Sequence, residues 1–291
     1  MAKKQAKRST KKNARHYPVV RGGQLEISTG NPGTVTQKVV FVDRELSKAN
    51  RRLMRHARYY SAKIDLHPDA TGVYKVFALR DDWAVQKGLQ LAYAMYLEST
   101  KEERALGQVA RWEDFRTRFP FTADQLVSSF HDGTLASIPL AAGEFVESRV
   151  TDDAGVIKAF SWGAATASAY SILGEYDKVG NAQEAPESGT GPAPYAGMND
   201  EIKDQTAADL EALGDLPPYS QNTVNANGMF VQVGVLSAGA AGVQRLSTGF
   251  FTAPCGIVVI EAPTPGDEGT KLIYEVKAGD YKGVHAPSML E

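Results

Sequence analysis

The N-terminal segment constrains the fold most, because it cannot contribute to a hydrophobic core. Residues 1–15 (MAKKQAKRSTKKNAR) contain seven Lys and Arg residues, no Asp or Glu, and almost no apolar side chains. Such a segment buries too little apolar surface to offset the conformational entropy lost on ordering. We therefore predict a flexible, disordered basic arm over residues 1–23 and one folded domain over residues 24–291.

Charge is divided unequally along the chain. Residues 1–63 carry 16 Lys and Arg against 3 acidic residues, a net charge of +13, whereas the remaining residues carry 16 against 31, a net charge of −15. The overall formal charge of −2 conceals this division. A charge split of this size indicates an anionic partner, such as nucleic acid, for the N-terminal part.

The arm has the composition of a nucleic-acid-binding segment. Lys and Arg contacts to phosphates need no fixed geometry, and they release condensed counterions. The alternatives are a solubilising tail and a nuclear localisation signal, and such a signal can overlap with a nucleic-acid-binding arm. The arm residues predicted to bind nucleic acid are Lys3, Lys4, Lys7, Arg8, Lys11, Lys12 and Arg15.

A second basic cluster follows a strand predicted over Thr34–Val42. On a helical wheel that begins at Arg44, five cationic residues fall on one side and four apolar residues on the other, which predicts a short amphipathic helix. The alternative is a solvated helix face, but like charges three and four positions apart repel unless an anion lies nearby. We therefore add to the predicted nucleic-acid site Arg44, Lys48, Arg51, Arg52, Arg55 and Arg58.

The rest of the chain favours β structure with one clear helix. Asp81 and Asp82 can cap a helix whose apolar face includes Val85 and Leu89. Thr100 with Glu103 has the spacing of a capping box and predicts a second short helix. The 27 Gly and 14 Pro fit many short strands. The predicted strands are Tyr59–Leu66, Val73–Leu79, Val156–Trp162, Ala167–Leu173, Met229–Leu236, Ser247–Ala253, Gly256–Ala262 and Leu272–Val276.

A long acidic segment interrupts these strands. Gly174–Pro218 is rich in Gly, Pro and acidic residues, with ten Asp and Glu against two Lys. We predict a long exposed excursion here, with a turn or two of helix over Ala207–Leu213. Ser237–Gly242 (SAGAAG) predicts a hairpin turn.

The motifs of common enzyme classes do not occur, and we predict a protein that is not an enzyme and needs no cofactor. The five His residues show no metal-binding spacing, and neither a nucleophile elbow nor a phosphate-binding glycine loop is present. The single cysteine, Cys255, excludes an intramolecular disulfide and is interpreted as a buried structural thiol. Carboxylate clusters at Asp152/Asp153 and at 200–204 could bind a divalent ion between subunits, with solvated loop charges as the alternative.

No membrane partner is predicted either. No apolar run approaches the roughly 20 residues needed to span a bilayer. The basic N-terminus lacks the apolar stretch of a secretory signal.

The chain resembles a family of viral proteins. The basic arm, LSKANRRLMRHARYYSAKIDL, VYKVFALRDDWAVQKGLQLAYAMYLESTKEER and GFFTAPCGIVVIEA together look like capsid proteins of small circular single-stranded DNA viruses that encode a replication initiator. The resemblance implies a mainly β, single jelly-roll sandwich of eight strands in two sheets, with one or two helices inserted between strands.

The same resemblance implies a function. Copies of the chain would self-assemble into an icosahedral shell of the virion, with the arm inside against the genome, single-stranded DNA in that family. Two alternatives stay open. One is a cellular or phage nucleic-acid-binding protein that works as a monomer or dimer, and the other is an enzyme of a family that its motifs do not reveal.

Overall fold

A computed structural model describes most of the predicted domain and the last residues of the predicted arm. Of the described residues, 42% lie in strands and 23% in helices, so the prediction of a mainly β protein is confirmed. Residues 1–18, the helix predicted over Ala207–Leu213 and most of the turn predicted over Ser237–Gly242 lie outside the described residues. The structure describes residues 19–27, 36–67, 72–107, 112–120, 124–125, 146–152, 154–181, 229–238, 245–262 and 270–291.

Two sheets form the body of the protein. The four-stranded sheet has the order β1 (Gly22–Ile27), β12 (Thr270–Val276), β3 (Tyr59–Leu66) and β10 (Phe251–Pro254). The five-stranded sheet has the order β5 (Asp124–Gln125), β2 (Thr36–Phe41), β11 (Ile257–Ala262), β4 (Gly72–Leu79) and β9 (Phe230–Ala238). All neighbours are antiparallel except β2 and β5, which are parallel.

A long insertion separates β4 from β9 in the chain. It contains, in order, α2 (Trp83–Ser99), α3 (Lys101–Ala105), β5, β6 (Arg149–Thr151), β7 (Ile157–Ser161), β8 (Ala169–Ser171) and α4 (Ile172–Asn181). The strands β6, β7 and β8 form a third, small sheet.

Three segments near one end of the four-stranded sheet are important for the site. The helix α1 (Val42–Asn50) follows β2. The cationic loop, residues 51–58, connects α1 to β3. The C-terminal strap, residues 277–291, follows β12.

The five-stranded sheet is buried on both faces. Its inner face, with residues such as Val40 and Ile260, packs against the four-stranded sheet in a first core. Its outer face, with residues such as Val39 and Val259, packs against α2 and the small sheet in a second core. A strand buried on both faces is a continuous apolar run, not an alternating one, which explains the sequence of β11, IVVIEA.

Most predicted elements are confirmed, with shifts at their ends. Asp82 caps α2, since its Oδ1 accepts from the Val85 N–H at 2.9 Å. The capping box predicted at Thr100 is wrong, because its hydroxyl donates to the Tyr96 carbonyl at 2.7 Å and makes no cap for α3. The strand predicted to continue to Leu173 ends at Ser171, where α4 begins and covers the start of the predicted acidic excursion.

Candidate nucleic-acid interface

The predicted arm, residues 1–23, is described only at its end. Val19–Arg21 form what we call the arm root, whereas Gly22 and Gly23 belong to β1 and pair with β12. The seven predicted arm cations lie outside the described residues. Val19 packs against the first core. The Val20 N–H donates to Asn50 Oδ1 at 2.8 Å, and the Val20 carbonyl accepts from Asn50 Nδ2 at 2.9 Å. The Arg21 carbonyl accepts from the Val276 N–H at 2.8 Å. The arm root is therefore fixed between the end of α1 and the end of β12.

The helix α1 ends one residue before Arg51, so the prediction of a basic helix reaching Arg58 is wrong. Arg51 adopts a left-handed conformation with φ of 48°. The N–H groups of Arg51 and Arg52 donate to the carbonyls of Lys48 and Ser47 at 3.2 and 3.1 Å. This is a Schellman C-cap, which turns the chain out of the helix. The later cations therefore lie on the cationic loop and do not share a helical face with Lys48.

Two of the predicted arginines hold the C-terminal strap. Arg52 Nη2 donates to the Lys282 carbonyl at 2.8 Å. Arg58 Nη1 donates to the Ala286 carbonyl at 2.7 Å, and its guanidinium carbon lies 3.6 Å from the centroid of the Tyr281 ring. Cation–π contacts of this kind favour a fixed guanidinium. Arg52 and Arg58 thus fix the loop against the strap.

Two other predicted cations lie partly inside the protein. The guanidinium carbon of Arg44 lies 3.8 Å from the centroid of the Phe41 ring. Burial lowers the pKa of Arg44, although an arginine stays charged in proteins. Lys48 is half-buried in the last turn of α1. Neither side chain lies on an open basic face of the kind that the helical wheel predicted.

The remaining two predicted cations are exposed. Arg51 is exposed at the start of the cationic loop. The side chain of Arg55 is 56% exposed, and its Nη1 lies 3.4 Å from Asp114 Oδ1. These two residues are accessible to a phosphate backbone.

Sequence reasoning missed two exposed cations at the same end of the four-stranded sheet. Arg21 immediately precedes β1, Lys277 immediately follows β12, and Gly22 pairs with Glu275 in the antiparallel register. The pairing of β1 with β12 brings these residues together, and the sequence alone does not reveal that pairing. We call the four exposed cations at this end the strand-end surface: Arg21, Arg51, Arg55 and Lys277.

A buried network of polar and charged side chains lies beneath the cationic loop, and sequence reasoning missed it. His56 is fully buried, with Nδ1 3.3 Å from Asp43 Oδ2 and Nε2 2.8 Å from Thr117 Oγ1. Arg116 Nη1 donates to Asp43 Oδ2 at 2.7 Å. Asp114 Oδ2 accepts from the His56 backbone N–H at 2.8 Å and lies 3.3 Å from Arg116 Nη2.

Side-chain hydrogen bonds connect the residues at the centre of this network, which are Trp162, Thr117, His56 and Asp43. The Trp162 Nε1–H donates to Thr117 Oγ1 at 2.8 Å. Thr117 Oγ1 also contacts His56 Nε2, and the His56 Nδ1–H donates to the Asp43 carboxylate. Burial opposes ionisation of Asp43, but the charge of Arg116 and the His56 hydrogen bond hold its pKa well below its usual range.

The network has the form of a carboxylate–imidazole–hydroxyl triad but no access for a substrate. Such triads activate a nucleophile that must reach a reacting carbonyl. Here Asp43 and His56 are 0% exposed and Thr117 is 1% exposed. The arrangement instead links α1, the cationic loop and the insertion. No sequence motif marks it, because its members come from four separate stretches of the chain.

A cleft of about 400 Å³ lies elsewhere, between β4, β9 and β10. Two of its polar residues have other contacts, since Arg80 Nε lies 3.1 Å from Asp82 Oδ2 and Asp82 caps α2. The cleft is lined by Leu79, Arg80, Asp81, Asp82, Val231, Val233, Phe251 and Thr252.

Neither a metal cluster nor a spanning helix is found within the described ranges. No group of three or more His, Cys, Asp or Glu is placed to hold a metal ion there. Asp152, from one predicted carboxylate cluster, pairs with Lys158 at 2.9 Å and accepts from the N–H of Val156. Asp153 and the cluster at 200–204 lie outside the described residues. No described helix is long and apolar enough to cross a membrane.

Comparison with known proteins identifies no matching family, no similar curated protein and no similar solved structure.

Proposed function

We propose that this chain is a viral capsid protein, which self-assembles into an icosahedral shell and binds the packaged nucleic acid through its basic N-terminal arm. The observation that carries this proposal is the position of the arm root. The described arm root, Val19–Arg21, leaves the folded domain beside the strand-end surface, so the segment that carries the predicted arm cations is attached at the cationic end of the sandwich. An attachment of this kind favours a polyanionic partner.

The strand order supports a jelly roll. Eight strands, taken in chain order, are β1, β2, β3, β4, β9, β10, β11 and β12. They form the sheets β1-β12-β3-β10 and β2-β11-β4-β9, to which β5 adds one short parallel strand. Two antiparallel sheets of four strands that pair the first strand with the last are what a double Greek key requires. The insertion with its helices then lies in one connection of the jelly roll.

The distribution of charge along the chain supports a shell with two different sides. Residues 1–63 carry a net charge of +13, and the rest of the chain carries a net charge of −15. The helices α2 and α3 do not by themselves form an anionic surface, because the exposed Lys87 and Lys101 lie in the same helices as Glu98, Glu102 and Glu103. A cationic side toward the genome and an anionic side toward solvent would suit a shell.

The alternative is a cellular or phage nucleic-acid-binding protein that works as a monomer or dimer. It shares the basic arm and the strand-end surface, and it differs only in assembly. The buried position of Asp43, His56 and Thr117 gives no specific support to an enzyme.

The assembly state distinguishes a capsid protein from a nucleic-acid-binding protein that works as a monomer or dimer. Purified full-length protein would be analysed by size-exclusion chromatography and negative-stain electron microscopy, with and without single-stranded DNA. We expect uniform closed particles, and we expect nucleic acid to promote their formation. Monomers or dimers that bind DNA without forming particles would contradict the capsid proposal and favour the alternative. Parallel samples with single-stranded RNA would test the nature of the genome.

A further inference from the structure

The outer face of α2 lacks the polar cover that a helix on a protein surface normally carries. Its inner face is buried against the second core through Val85, Leu89 and Ala92. Away from that core, Leu91 and Met95 are 46% and 47% exposed. Two of its 17 residues are charged. The helix therefore presents apolar side chains to solvent as well as to the core.

The two charged residues of α2 are Lys87 and Glu98, which have opposite signs and lie at opposite ends of the exposed face. They are eleven positions apart, which is about three helical turns, so they project to the same side of the helix. Leu91 and the exposed Ala94 lie between them on that side. The order along the face is thus a cation, two apolar residues and an anion.

The contacts that the two charged side chains make within the chain are local. Lys87 Nζ donates to Gln90 Oε1 at 3.1 Å. Glu98 Oε1 accepts from Lys101 Nζ at 3.0 Å, although both of these side chains are at least 70% exposed. Exposed pairs of this kind contribute little stability. Glu98 also lies in the last turn of α2, where its charge meets the negative end of the helix dipole. A positive charge from outside the chain would relieve this repulsion.

The exposed face of α2 is complementary to itself in an antiparallel arrangement. A two-fold axis midway between residues 92 and 93 places Lys87 opposite the partner's Glu98, and the symmetry repeats this pair at the other end. The same axis places Leu91 opposite the partner's Ala94, so a large side chain meets a small one. In addition, antiparallel helices place each Glu98 beside the N-terminal half of the other helix, where the dipole is favourable for an anion.

We propose that α2 forms a two-fold contact with α2 of a second copy of this chain, as an antiparallel helix pair. This inference rests on the self-assembly in the proposed function and names one contact between subunits of the shell. A two-fold contact uses the same patch on both subunits, which a self-complementary face allows. A stable complex normally buries about 800 Å² per partner, more than one helix pair of this length supplies. The contact therefore acts together with other contacts in the shell.

A zero-length crosslink in the full-length, unsubstituted protein tests the geometry. A carbodiimide joins an amine directly to a carboxylate, and mass spectrometry of the digested product identifies the two residues. Lys87 and Glu98 of one helix lie about 16 Å apart along its axis, farther than their side chains can span, so a crosslink between them joins two copies. We expect this crosslink in covalent dimers. The Lys101–Glu98 crosslink within one chain shows that Glu98 reacts. If that crosslink forms and the one to Lys87 does not, the proposed contact is wrong.

Charge reversal tests the energetics. Lys87→Glu and Glu98→Lys each place like charges together at both ends of the pair, and the double variant restores opposite charges. We expect each single variant to weaken self-association about tenfold and the double variant to return to within about threefold of the unsubstituted protein. Sedimentation velocity over a concentration series measures the association. The control is Lys75→Glu, an equal change of charge at an exposed lysine of β4, which should leave association unchanged.

The outcomes for this contact and for the capsid function are distinguishable. Closed particles that form equally well in both single variants and lack the Lys87–Glu98 crosslink would overturn the contact and leave the capsid function intact. Dimers that show the crosslink and the charge-reversal pattern but never form particles would support the contact and contradict the capsid function. An unsubstituted chain that stays monomeric at every concentration would overturn both.

Discussion

Arg116 and Asp43 form a buried ion pair, with Arg116 Nη1 2.7 Å from Asp43 Oδ2, although 73 residues separate them in the chain. Their side chains are 3% and 0% exposed. The pair links the insertion to α1, and His56 brings the cationic loop into the same network. The insertion and the cationic loop of the candidate interface therefore share one buried network of polar contacts.

Removal of Arg116 should be strongly destabilising. In Arg116→Met, the Asp43 carboxylate stays buried without its main counter-charge, and we expect the free energy of unfolding to fall by about 3–5 kcal/mol. Urea denaturation at neutral pH measures this change. The control is Arg149→Met, which breaks an exposed contact with Glu147 and should cost no more than about 1 kcal/mol. Similar small losses in both variants would contradict a stabilising network.

Acid should destabilise the protein through Asp43. Its pKa is lower in the folded state than in the unfolded chain, where an aspartate has a pKa of about 3.9. Ionised Asp43 therefore contributes stability that is present in full above about pH 4 and is lost as the pH falls further. Asp114 acts in the opposite sense, because burial raises its pKa and a lower pH relieves the cost of its charge.

The substitution Asp43→Asn tests this pH dependence. The variant should be less stable than the unsubstituted protein at pH 7, and its stability should fall less steeply below about pH 4. Chemical denaturation across a pH series gives both quantities. An unchanged acid dependence in Asp43→Asn would assign the effect to other carboxylates.

The arm should determine much of the salt dependence of nucleic-acid binding. Each phosphate contact on a single strand contributes about −0.7 to the slope of log affinity against log salt, and the seven cations of residues 1–15 set the maximum for this segment. Deletion of residues 1–15 should reduce the magnitude of the slope. Arg51→Gln in the shortened chain should reduce it by about a further 0.7. An unchanged slope after the deletion would leave the arm as a targeting tail.

We expect substitution of Arg58, which contacts the strap, to lower the free energy of unfolding more than substitution of Arg51, which is exposed. Arg58→Gln removes a charged hydrogen bond to Ala286 and a stacking contact on Tyr281, and we expect a loss of about 1–3 kcal/mol. Arg51→Gln changes an exposed side chain and should alter stability by less than about 0.5 kcal/mol. Thermal or urea unfolding compares them. If both variants lose equal stability, Arg58 does not anchor the strap.

Cys255 should be chemically inert in the folded protein. It is fully buried, its Sγ lies 3.8 Å from Met289 Sδ, and burial raises the pKa of its thiol well above the usual value. A thiol reagent should react with it only after denaturation, because the thiolate is the reactive form. Cys255→Ser should cost about 1–3 kcal/mol and leave nucleic-acid binding intact. Loss of binding in a folded Cys255→Ser variant would show that Cys255 contributes to the site.

The strands were predictable from sequence where one face is buried. In β3 partly buried and fully buried residues alternate along its whole length, and the predicted bounds, Tyr59–Leu66, are those observed. The helix α2 was predictable from its cap, Asp82, and from the spacing of its apolar residues. In both cases the period of the apolar pattern identifies the type of element, and in α2 the cap also marks its start.

The end of α1 and the set of exposed cations at the candidate interface depend on contacts between residues that are distant in the sequence. The end of α1 was not predictable, because a left-handed Arg51 has no sequence signal of the kind that glycine gives. The charges of Arg52 and Arg58 have the same sequence signature as solvent-exposed cations, yet both side chains bind the strap. Of the predicted loop cations, Arg51 and Arg55 are exposed, and Arg21 and Lys277 join them only through the pairing of β1 with β12.

The pairing of β1 with β12 determines when the four-stranded sheet can form. β1 pairs with β12, and Gly22 lies opposite Glu275, so the first described strand has its partner among the last described residues. Contacts this far apart in sequence form slowly, since closing so long a loop costs entropy before any contact is gained. During synthesis on the ribosome, β1 must wait until β12 has been translated. The four-stranded sheet, and with it the end at which Arg21 and Lys277 lie, forms only after β12 has been translated.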